Sequence, residues 1–337
     1  MTESLGGGVQ NAISKYTHMA NTSEHIVLGR LRKGEATGEY SIGTHVIEYK
    51  GGFIGFLAKI RDASIELKPD IVHLHSSYAG LARVFISLNI PIVYSPHCFA
   101  FERTDKSGIW RKTARWVEKI LAIRSQVIVA VSPHEALLAK DLVRNGSVFY
   151  VPNVLLNSVN DVPKLARPTV VMVGRIGAQK DPKLFAAVSK KLRHLYNFIW
   201  VGDGDSDLRQ ELVDSGVRVT GWQTPLETRR LVASCHLCFH TGAWEAAPIS
   251  TIEAASSGTA VLARGIPTMA SLGYHVTSGS FDHIANVINA FFTDEAFKDL
   301  VEAQTLKVAK GLSVQEAELQ LQRAYEYSLS RKKTDEI

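Results

Sequence analysis

The chain has 337 residues, of which 45% are hydrophobic and 21% charged; these proportions are typical of a soluble globular protein with room for two α/β domains. Its apolar runs are too short to span a bilayer, and its start has no basic and apolar export signal. The net charge is +5, and three cysteines in a chain of this length indicate a reducing compartment, so we expect a cytoplasmic protein.

Short apolar runs alternate with helical patterns along the chain. Strands are predicted at 25–28, 45–49, 70–75, 90–95, 126–132 and 148–153. Helices are predicted between them, near 53–67, 79–88, 108–124 and 133–144. Two prolines and several polar residues then mark 154–168 as a linker.

After the linker the strand pattern resumes at 169–175, 197–203, 217–222, 236–240 and 259–263, and the chain is helical after residue 282. Apolar strands that alternate with helices imply parallel sheets buried on both faces. We therefore predict the α/β class, with two Rossmann-like, doubly wound domains at 1–153 and 169–337 that face one cleft.

The segment W-E-A-A-P-I-S-T-I-E places Glu245 in a loop after a predicted strand and Glu253 in the helix that follows. The N–H groups of Ile249 and Ser250 open that helix and can bind a phosphate. The two carboxylates can accept hydrogen bonds from sugar hydroxyls. On spacing alone, a solvated helix with two unrelated glutamates explains the segment equally well.

A second segment, V-V-M-V-G-R-I-G-A-Q-K, ends a predicted buried strand at Gly174 and Arg175 and places Lys180 before the next helix. Two cations after one strand end suit a diphosphate, which gains negative charge as its sugar leaves. Taken alone, the segment is better explained as a strand, a turn and a helix with surface cations. In the V-G-D-G turn that follows the next strand, Gly202 permits close approach to the backbone.

Together these motifs resemble those of the retaining GT-B glycosyltransferases of family 4 (glycosyl transferases group 1). V-T-G-W at 219–222 and V-S-P-H-E at 131–135 also follow the family's order, and the resemblance covers nearly the whole chain. It implies transfer of a sugar, with retention, from a UDP- or GDP-linked sugar to a saccharide acceptor that we expect to be lipid-linked. The implied process is polysaccharide, lipopolysaccharide or capsule biosynthesis.

The resemblance also implies roles for single residues. The catalytic residues would be His97, Glu245, Arg175 and Lys180. Since the cations Arg175 and Lys180 would neutralise the diphosphate, neither a metal nor a cofactor is expected. The donor would be bound by Gly7, Gly8, Gly174, Arg175, Lys180, Gly202, Thr220, Trp222, Glu245, Ile249, Ser250 and Glu253. Gln10 and His97 would face the acceptor.

Basic residues are concentrated at 103–124, where seven of them accompany two acidic residues. Trp110 and Trp116 lie in the same segment, and this combination favours an anionic membrane surface, at the inner face of the cytoplasmic membrane. Nucleic acid is a poorer partner for this charge because no nucleic-acid-binding motif accompanies it.

Three further patterns bear on the function. C-H-L-C-F-H at 235–240 has the spacing of metal ligands, but it alternates along a predicted strand without a second cluster, so we interpret it as a buried strand. His73 and His75 share one face of a strand end, where a site role and a structural role are both open. The glycines at 6–8 follow so few residues that we predict a shortened first strand, and we expect upstream apolar residues to raise the melting temperature.

Two other functions remain open from the sequence. A partner subunit that binds nucleotide sugars without turnover would keep the same motifs, and so would a GT-B-shaped sugar-nucleotide epimerase.

Overall fold

A computed structural model of the chain describes residues 1–335, except 32–39, 41, 125, 144–146, 156–158 and 160. It contains two compact units. The first is built from residues 1–102 and 106–153 together with the segment that begins at Ser313, and the second from 103–105 and 154–312.

Parallel strands form the centre of the first unit. β1 (Ile26–Arg30) pairs with β2 (His45–Tyr49). A four-stranded sheet follows in chain order, with β3 (Val72–His75), β4 (Ile92–Ser95), β5 (Val127–Ala130) and β6 (Ser147–Tyr150).

The residues at the predicted shortened strand lie between these two groups of strands. Thr2 forms parallel bridges to Gly29 of β1 and His75 of β3. Its N–H donates to the Leu28 carbonyl at 2.9 Å, and its own carbonyl accepts from the Arg30 N–H at 3.1 Å. Thr2 therefore joins β1 to β3.

The helices of the first unit cover its strands. They are α1 (Gly7–Met19), α2 (Phe53–Glu66), α3 (Gly108–Leu121) and α4 (Pro133–Leu142). Short 3-10 helices occupy Ala79–Val84 and Ala100–Glu102. The core packs side chains of α2 against those of the sheet, with Phe56, Ile60, Leu74, Tyr94 and Ile128 buried.

The predicted helix at 79–88 is wrong in type and length, since only the 3-10 turn at Ala79–Val84 forms. The guanidinium of Arg124 donates to the carbonyls of Arg83, Ile86 and Ser87 at 2.5–2.7 Å. In a longer helix, carbonyls in this stretch would instead accept from backbone N–H groups. A 3-10 turn also lets the chain pass close to β4, where a Cβ on Gly80 would lie 2.7 Å from the Tyr94 ring.

The second unit contains a six-stranded parallel sheet. Its strands are β7 (Thr169–Val173), β8 (Asn197–Val201), β9 (Arg218–Val219), β10 (Leu237–His240), β11 (Ala260–Arg264) and β12 (His275–Thr277). In the order β12-β11-β10-β7-β8-β9 the direction of winding reverses between β7 and β10. This is the doubly wound arrangement, whose ligands bind at such a switch point.

Helices cover both faces of this sheet: α5 (Pro182–Leu192), α6 (Ser206–Asp214), α7 (Pro225–Ser234), α8 (Ile249–Ser256), α9 (Pro267–Leu272), α10 (Phe281–Thr293) and α11 (Glu295–Lys310). A 3-10 turn spans Ala178–Lys180. Asp205 caps α6 by accepting from the N–H groups of Asp207 and Leu208.

The end of the described chain returns to the first unit. α12 (Val314–Asp335) packs on β4, β5, β6 and α1 and buries Ala317, Leu321 and Ala324. The predicted domain 169–337 assigned this helix to the second unit, so the structure corrects that boundary.

The predicted linker is partly attached to the second unit. Lys164 Nζ donates to the carbonyls of Ala233 and Cys235 at 3.0 and 2.6 Å, and the Leu165 N–H donates to the Ser234 carbonyl at 2.8 Å. Within the described ranges, no helix combines the length and apolarity needed to cross a bilayer.

Candidate active site

The loops after β7 and β10 lie side by side at the switch point, because adjacent parallel strands end at the same edge of the sheet. The two loops are joined by direct hydrogen bonds. The Ala243 N–H donates to the Gln179 carbonyl at 2.8 Å, and the Thr241 hydroxyl donates to the Lys180 carbonyl at 2.5 Å. These contacts bring together two predicted motifs that are far apart in sequence.

Lys180 and Glu245 form an ion pair at this edge, with Nζ 2.5 Å from Oε1. Gln179 Nε2 lies 3.4 Å from the other carboxylate oxygen. Burial alone would raise the pKa of Glu245, but Lys180 and His240 outweigh burial and lower that pKa to about 2. The sequence assigns Lys180 to the diphosphate and Glu245 to sugar hydroxyls, but in the structure the two side chains neutralise each other's charge.

His240, at the end of β10, lies against this pair. It is fully buried, and its Nε2 is 3.4 Å from Glu245 Oε1. Among the residues that the structure describes, neither ring nitrogen has a partner with hydrogen-bond geometry. Burial lowers the pKa of His240, and Glu245 opposes that shift. Gly242 permits this packing, because a Cβ there would lie 2.6 Å from His240 Nε2.

The glycine turns after β7 and β8 pack backbone against backbone. Gly174 has φ +154° and its carbonyl accepts from Trp200 Nε1 at 2.9 Å. A Cβ on Gly202 would lie 2.2 Å from the Gly174 carbonyl oxygen, so only glycine fits there. The predicted donor residue Gly202 thus has a structural reason to be glycine.

The remaining predicted donor residues of the second unit follow the same edge. Arg175 is exposed after β7, and Trp222 is 64% exposed after β9. The Thr220 N–H donates to the Trp200 carbonyl at 3.0 Å. The Glu253 carboxylate lies on α8, 3.9 Å from Arg229 Nη1.

Helix α8 begins at Ile249, with Pro248 as N-cap and without a side-chain cap from the described residues. The N–H groups of Ile249 and Ser250 belong to its first turn, where helices leave backbone donors available to an anion.

In the first unit, His97 belongs to a stack of three imidazoles. His75 Nδ1 lies 3.0 Å from His97 Nε2, and the rings of His73 and His75 stack with centroids 4.0 Å apart. His73 also bonds Ser95 Oγ and the Tyr325 hydroxyl, both at 2.9 Å. Burial lowers the pKa of His97 to about 4, so the ring is neutral at pH 7.

The glycine loop of the first unit opens α1. Gly6 is its N-cap without a side-chain cap from the described residues, and Gly7 has φ +73°. Gly7 and Gly8 are exposed, whereas Gln10 is half-buried. The first turn of a helix leaves backbone N–H groups that an anion can bind.

The 235–240 segment forms part of a buried strand. Cys238 and His240 lie on β10, and His236 Nδ1 accepts from the Thr169 N–H at 3.2 Å. Over the described ranges, no group of three or more His, Cys, Asp or Glu side chains is arranged to hold a metal ion.

Family models match both halves of the chain. Residues 27–154 match the family described as Glycosyltransferase Family 4, and residues 167–294 match Glycosyl transferases group 1. The chain belongs to the family 4 glycosyltransferases. The family membership predicted from the sequence motifs is thereby confirmed.

Two curated relatives resemble this glycosyltransferase over most of their lengths. An uncharacterized 41.2 kDa protein in the cps region of Klebsiella pneumoniae is 24% identical over 296 residues, which cover 80% of this chain and 81% of the relative. The Escherichia coli UDP-Gal:alpha-D-GlcNAc-diphosphoundecaprenol alpha-1,3-galactosyltransferase is 25% identical over 283 residues, 73% of this chain and 72% of the relative.

Solved structures show the fold of this glycosyltransferase. Sucrose-phosphate synthase from Thermosynechococcus elongatus matches with a TM-score of 0.79 at 15% identity, over 98% of this chain and 95% of that one. Anabaena HepE in complex with UDP-glucose matches with a TM-score of 0.73 at 17% identity, over 97% and 99%. The predicted GT-B fold is therefore confirmed.

Sequence reasoning missed two contributors to this edge of the sheet. The sequence patterns place His240 in a buried strand and assign Gly242 no role. Glycine directly after a buried strand end was the available signal for Gly242, whereas nothing in the sequence distinguishes an imidazole that contacts a carboxylate from one that packs in a core.

Proposed function

We propose that this glycosyltransferase moves a sugar from a UDP- or GDP-linked sugar to a saccharide acceptor, with retention and without a metal or cofactor. The observation that carries the proposal is the meeting of Lys180 and Glu245 at the switch point of the second unit. A cation and a carboxylate at the carboxyl ends of parallel strands suit a diphosphate joined to a hydroxyl-rich sugar.

The donor would lie along the edge that these loops form. Arg175, Lys180 and the first-turn N–H groups of α8 would bind the diphosphate, and the exposed Trp222 with Thr220 would contact the base. Glu253 would accept from the ribose hydroxyls and Glu245 from the transferred sugar. Gly7 and Gly8 of the first unit would approach the phosphate.

The ion pair gives Lys180 a defined place before the donor arrives. A diphosphate adds negative charge beside it, so the cation can stabilise the charge that grows on the leaving phosphate. In the retaining reaction that phosphate accepts the acceptor proton on the same face, and His97 with Gln10 would contact the acceptor. Cationic side chains would then neutralise the charge of the leaving phosphate, which a bound metal ion does in other enzymes.

The relatives favour a lipid-linked acceptor and a role in polysaccharide or capsule biosynthesis. The Escherichia coli protein is named for galactosyl transfer to a sugar on diphosphoundecaprenol, and the Klebsiella protein is encoded in a cps region. The HepE structures contain UDP, glucose or UDP-glucose. These names support, for this chain, a nucleotide-sugar donor and a saccharide carried on a lipid.

Donor binding is tested by isothermal titration with UDP and GDP. We expect the wild type to bind one of them, with affinity at least about tenfold lower in Lys180→Ala and Glu253→Ala, since each loses a charged contact. Lys183→Ala and Glu211→Ala, which change exposed residues on α5 and α6, are the matched controls. Failure of the wild type to bind any nucleotide would overturn the proposal.

The product distinguishes this function from its rivals. Transfer from an α-linked donor should give an α-linkage in the proton NMR spectrum, and a β-linkage contradicts retention. Isomerisation of the donor without an acceptor would identify an epimerase. Binding without transfer or hydrolysis, over a panel of donors and lipid-linked acceptors, would identify a partner subunit.

A membrane-facing surface would bring the enzyme to such an acceptor at the inner face of the cytoplasmic membrane. A stripe of apolar side chains runs along α3 and on to Ile123 just after it. Ile109 is 80% exposed, Trp116 64% and Ile123 69%, and they follow one another at helical spacing. Lys112 and Lys119 lie on the same stripe. Apolar side chains flanked by lysines suit the interface of an anionic bilayer.

The stripe continues onto the loop after the 3-10 turn. Arg124, directly after Ile123, donates to the carbonyls of Arg83, Ile86 and Ser87, which holds this loop beside the end of α3. Three more apolar side chains are exposed here, Val84 at the end of the 3-10 turn and Phe85 and Leu88 in the loop. Trp110, by contrast, is half-buried and is not part of this surface.

Vesicle flotation tests this contact. We expect binding to phosphatidylglycerol vesicles and little binding to phosphatidylcholine, with strong loss in Lys112→Glu/Lys119→Glu, because each lysine contributes about 1 kcal/mol near an anionic surface. The control is Lys183→Glu/Lys190→Glu, which reverses the same charge on exposed positions of α5. Equal binding of both double variants would contradict the surface.

A further inference from the structure

The loop after β4 holds two consecutive non-glycine residues in a left-handed conformation. His97 has φ +48° and Cys98 has φ +83°. Side chains with a Cβ rarely adopt such angles, and a turn that contains them persists only where its surroundings impose it. Since His97 is the histidine proposed to face the acceptor, the source of this constraint matters.

A buried carboxylate bonds the backbone of this turn. Glu135, in the first turn of α4, accepts from the Cys98 N–H at 2.7 Å with Oε1 and from the Val131 N–H at 2.8 Å with Oε2. Glu135 is 2% exposed. It therefore ties the strained turn to the end of β5, from which α4 begins.

The turn determines where the His97 ring lies. With φ positive at 97 and 98, His97 Nε2 lies 3.0 Å from His75 Nδ1, and the two rings stack with centroids 5.3 Å apart. If Cys98 relaxed to a negative φ, the backbone at 97 would rotate and this contact would be lost. Both oxygens of Glu135 accept backbone donors, and these two bonds lower the pKa of the carboxyl, although burial outweighs them and raises it to about 7.

We propose that Glu135 is a positioning residue: it holds the His97–Cys98 turn in its left-handed conformation and thereby presents the His97 ring. The acceptor-side role of His97 rests on the proposed function, whereas the control of its ring by Glu135 does not. Glu135 contacts no reacting atom in this proposal and acts through the Cys98 N–H.

The first test replaces the carboxylate by its amide. Glu135→Gln keeps the shape but sets an amide donor against one of the two N–H donors, so the turn loses one of its bonds. We expect kcat to fall about tenfold or more while the donor KM stays within about twofold, the signature of misplaced groups rather than weakened donor binding. Glu102→Gln, a nearby carboxylate that pairs with His134 at 2.9 Å, is the control and should leave both constants unchanged.

The second test removes the strain instead of the clamp. Glycine adopts φ +83° without a steric penalty, so Cys98→Gly should let the turn keep its shape without Glu135. We expect the double variant Glu135→Gln/Cys98→Gly to recover activity to within about threefold of Cys98→Gly alone. A double variant as slow as Glu135→Gln, with its melting temperature retained, would overturn the proposal.

Nitrogen NMR of the histidine rings tests the same point without catalysis. The His97 signals, assigned by their loss in His97→Gln, should shift in Glu135→Gln and return in the double variant. Unchanged His97 signals in a folded Glu135→Gln protein would refute the positioning role. Because this measurement needs no donor or acceptor, its outcome is separate from success or failure of the proposed transferase activity.

Discussion

At the scale of single residues, the balance between Lys180 and Glu245 sets how the second unit responds to pH. The folded pKa of Glu245 is about 2, below its ordinary value of 4.5. A carboxyl whose pKa is lowered by folding contributes stability above its unfolded pKa, and that contribution is lost as the pH falls from about 4.5 through about 2.

Removal of the lysine should reverse that dependence. Lys180→Met leaves a buried carboxylate without its cation, and we expect a loss of about 3 kcal/mol at pH 7. Burial then raises the pKa of Glu245, so the variant should regain stability as the pH falls from 7 to 5. Urea unfolding at both pH values measures this, with Lys183→Met as control; a variant with the pH dependence of the wild type would contradict it.

Short motifs predicted the residues of this pair, although they are 65 positions apart. Each lies in a string that carries information by itself: cations after a strand end, or carboxylates around a helix start. Glu135 ends the V-S-P-H-E string, but that string does not show what the carboxylate does, since its partner, the Cys98 N–H, is 37 positions away and its importance comes from burial and a strained turn. Neither property can be read from neighbouring residue types.

At the scale of elements, α3 is fixed to the sheet by a buried ion pair. Glu118 Oε2 accepts from Arg83 Nη2 at 2.5 Å, and its Oε1 accepts from the Tyr94 hydroxyl at 2.8 Å. The Arg83 guanidinium lies 4.1 Å from the centre of the Tyr94 ring. The network joins α3, the 3-10 turn and β4.

We expect Glu118→Gln to reduce the free energy of unfolding by about 3–5 kcal/mol, because it leaves the buried Arg83 without a counter-charge. The exposed Glu66, 3.9 Å from Lys59, gives a matched control, and Glu66→Gln should change stability by less than about 1 kcal/mol. Chemical denaturation measures both variants. Similar effects at the two sites would show that the buried pair is not what fixes α3.

Element types were largely predictable, because apolar strands alternate with amphipathic helices over most of the chain. Some described elements were not, and two of them show why. β12 has only three residues, His275–Thr277, too few for a recognisable pattern. The predicted helix at 79–88 has helical periodicity, but its carbonyls bond to Arg124, a residue that no local pattern connects to it.

At the scale of the whole molecule, α12 belongs to the unit that is distant from it in sequence. Its amphipathic pattern shows that one face is buried but not which sheet it covers, so the predicted boundary placed it with its sequence neighbours. The doubly wound sheets themselves were predictable from the number and order of their apolar strands.

Truncation of one buried side chain of α12 tests whether this helix belongs to the first unit. Leu321 is 1% exposed, and Leu321→Ala is expected to destabilise the first unit by about 2–5 kcal/mol. Hydrogen exchange should then accelerate in β4, β5 and β6 and remain unchanged in β7 and β8. Leu319→Ala, 41% exposed on the same helix, is the control. Faster exchange in β7 and β8 would contradict the assignment.

The return of α12 has a consequence for the order of events on the ribosome. The strands and helices of the second unit, from 154 to 312, have all been synthesised before α12 emerges. The first unit must wait, with the faces of β4, β5 and β6 that α12 covers still open to solvent. Nascent chains of this protein should therefore complete the later-encoded unit first, and chaperones that recognise apolar surface should meet the first unit during that interval.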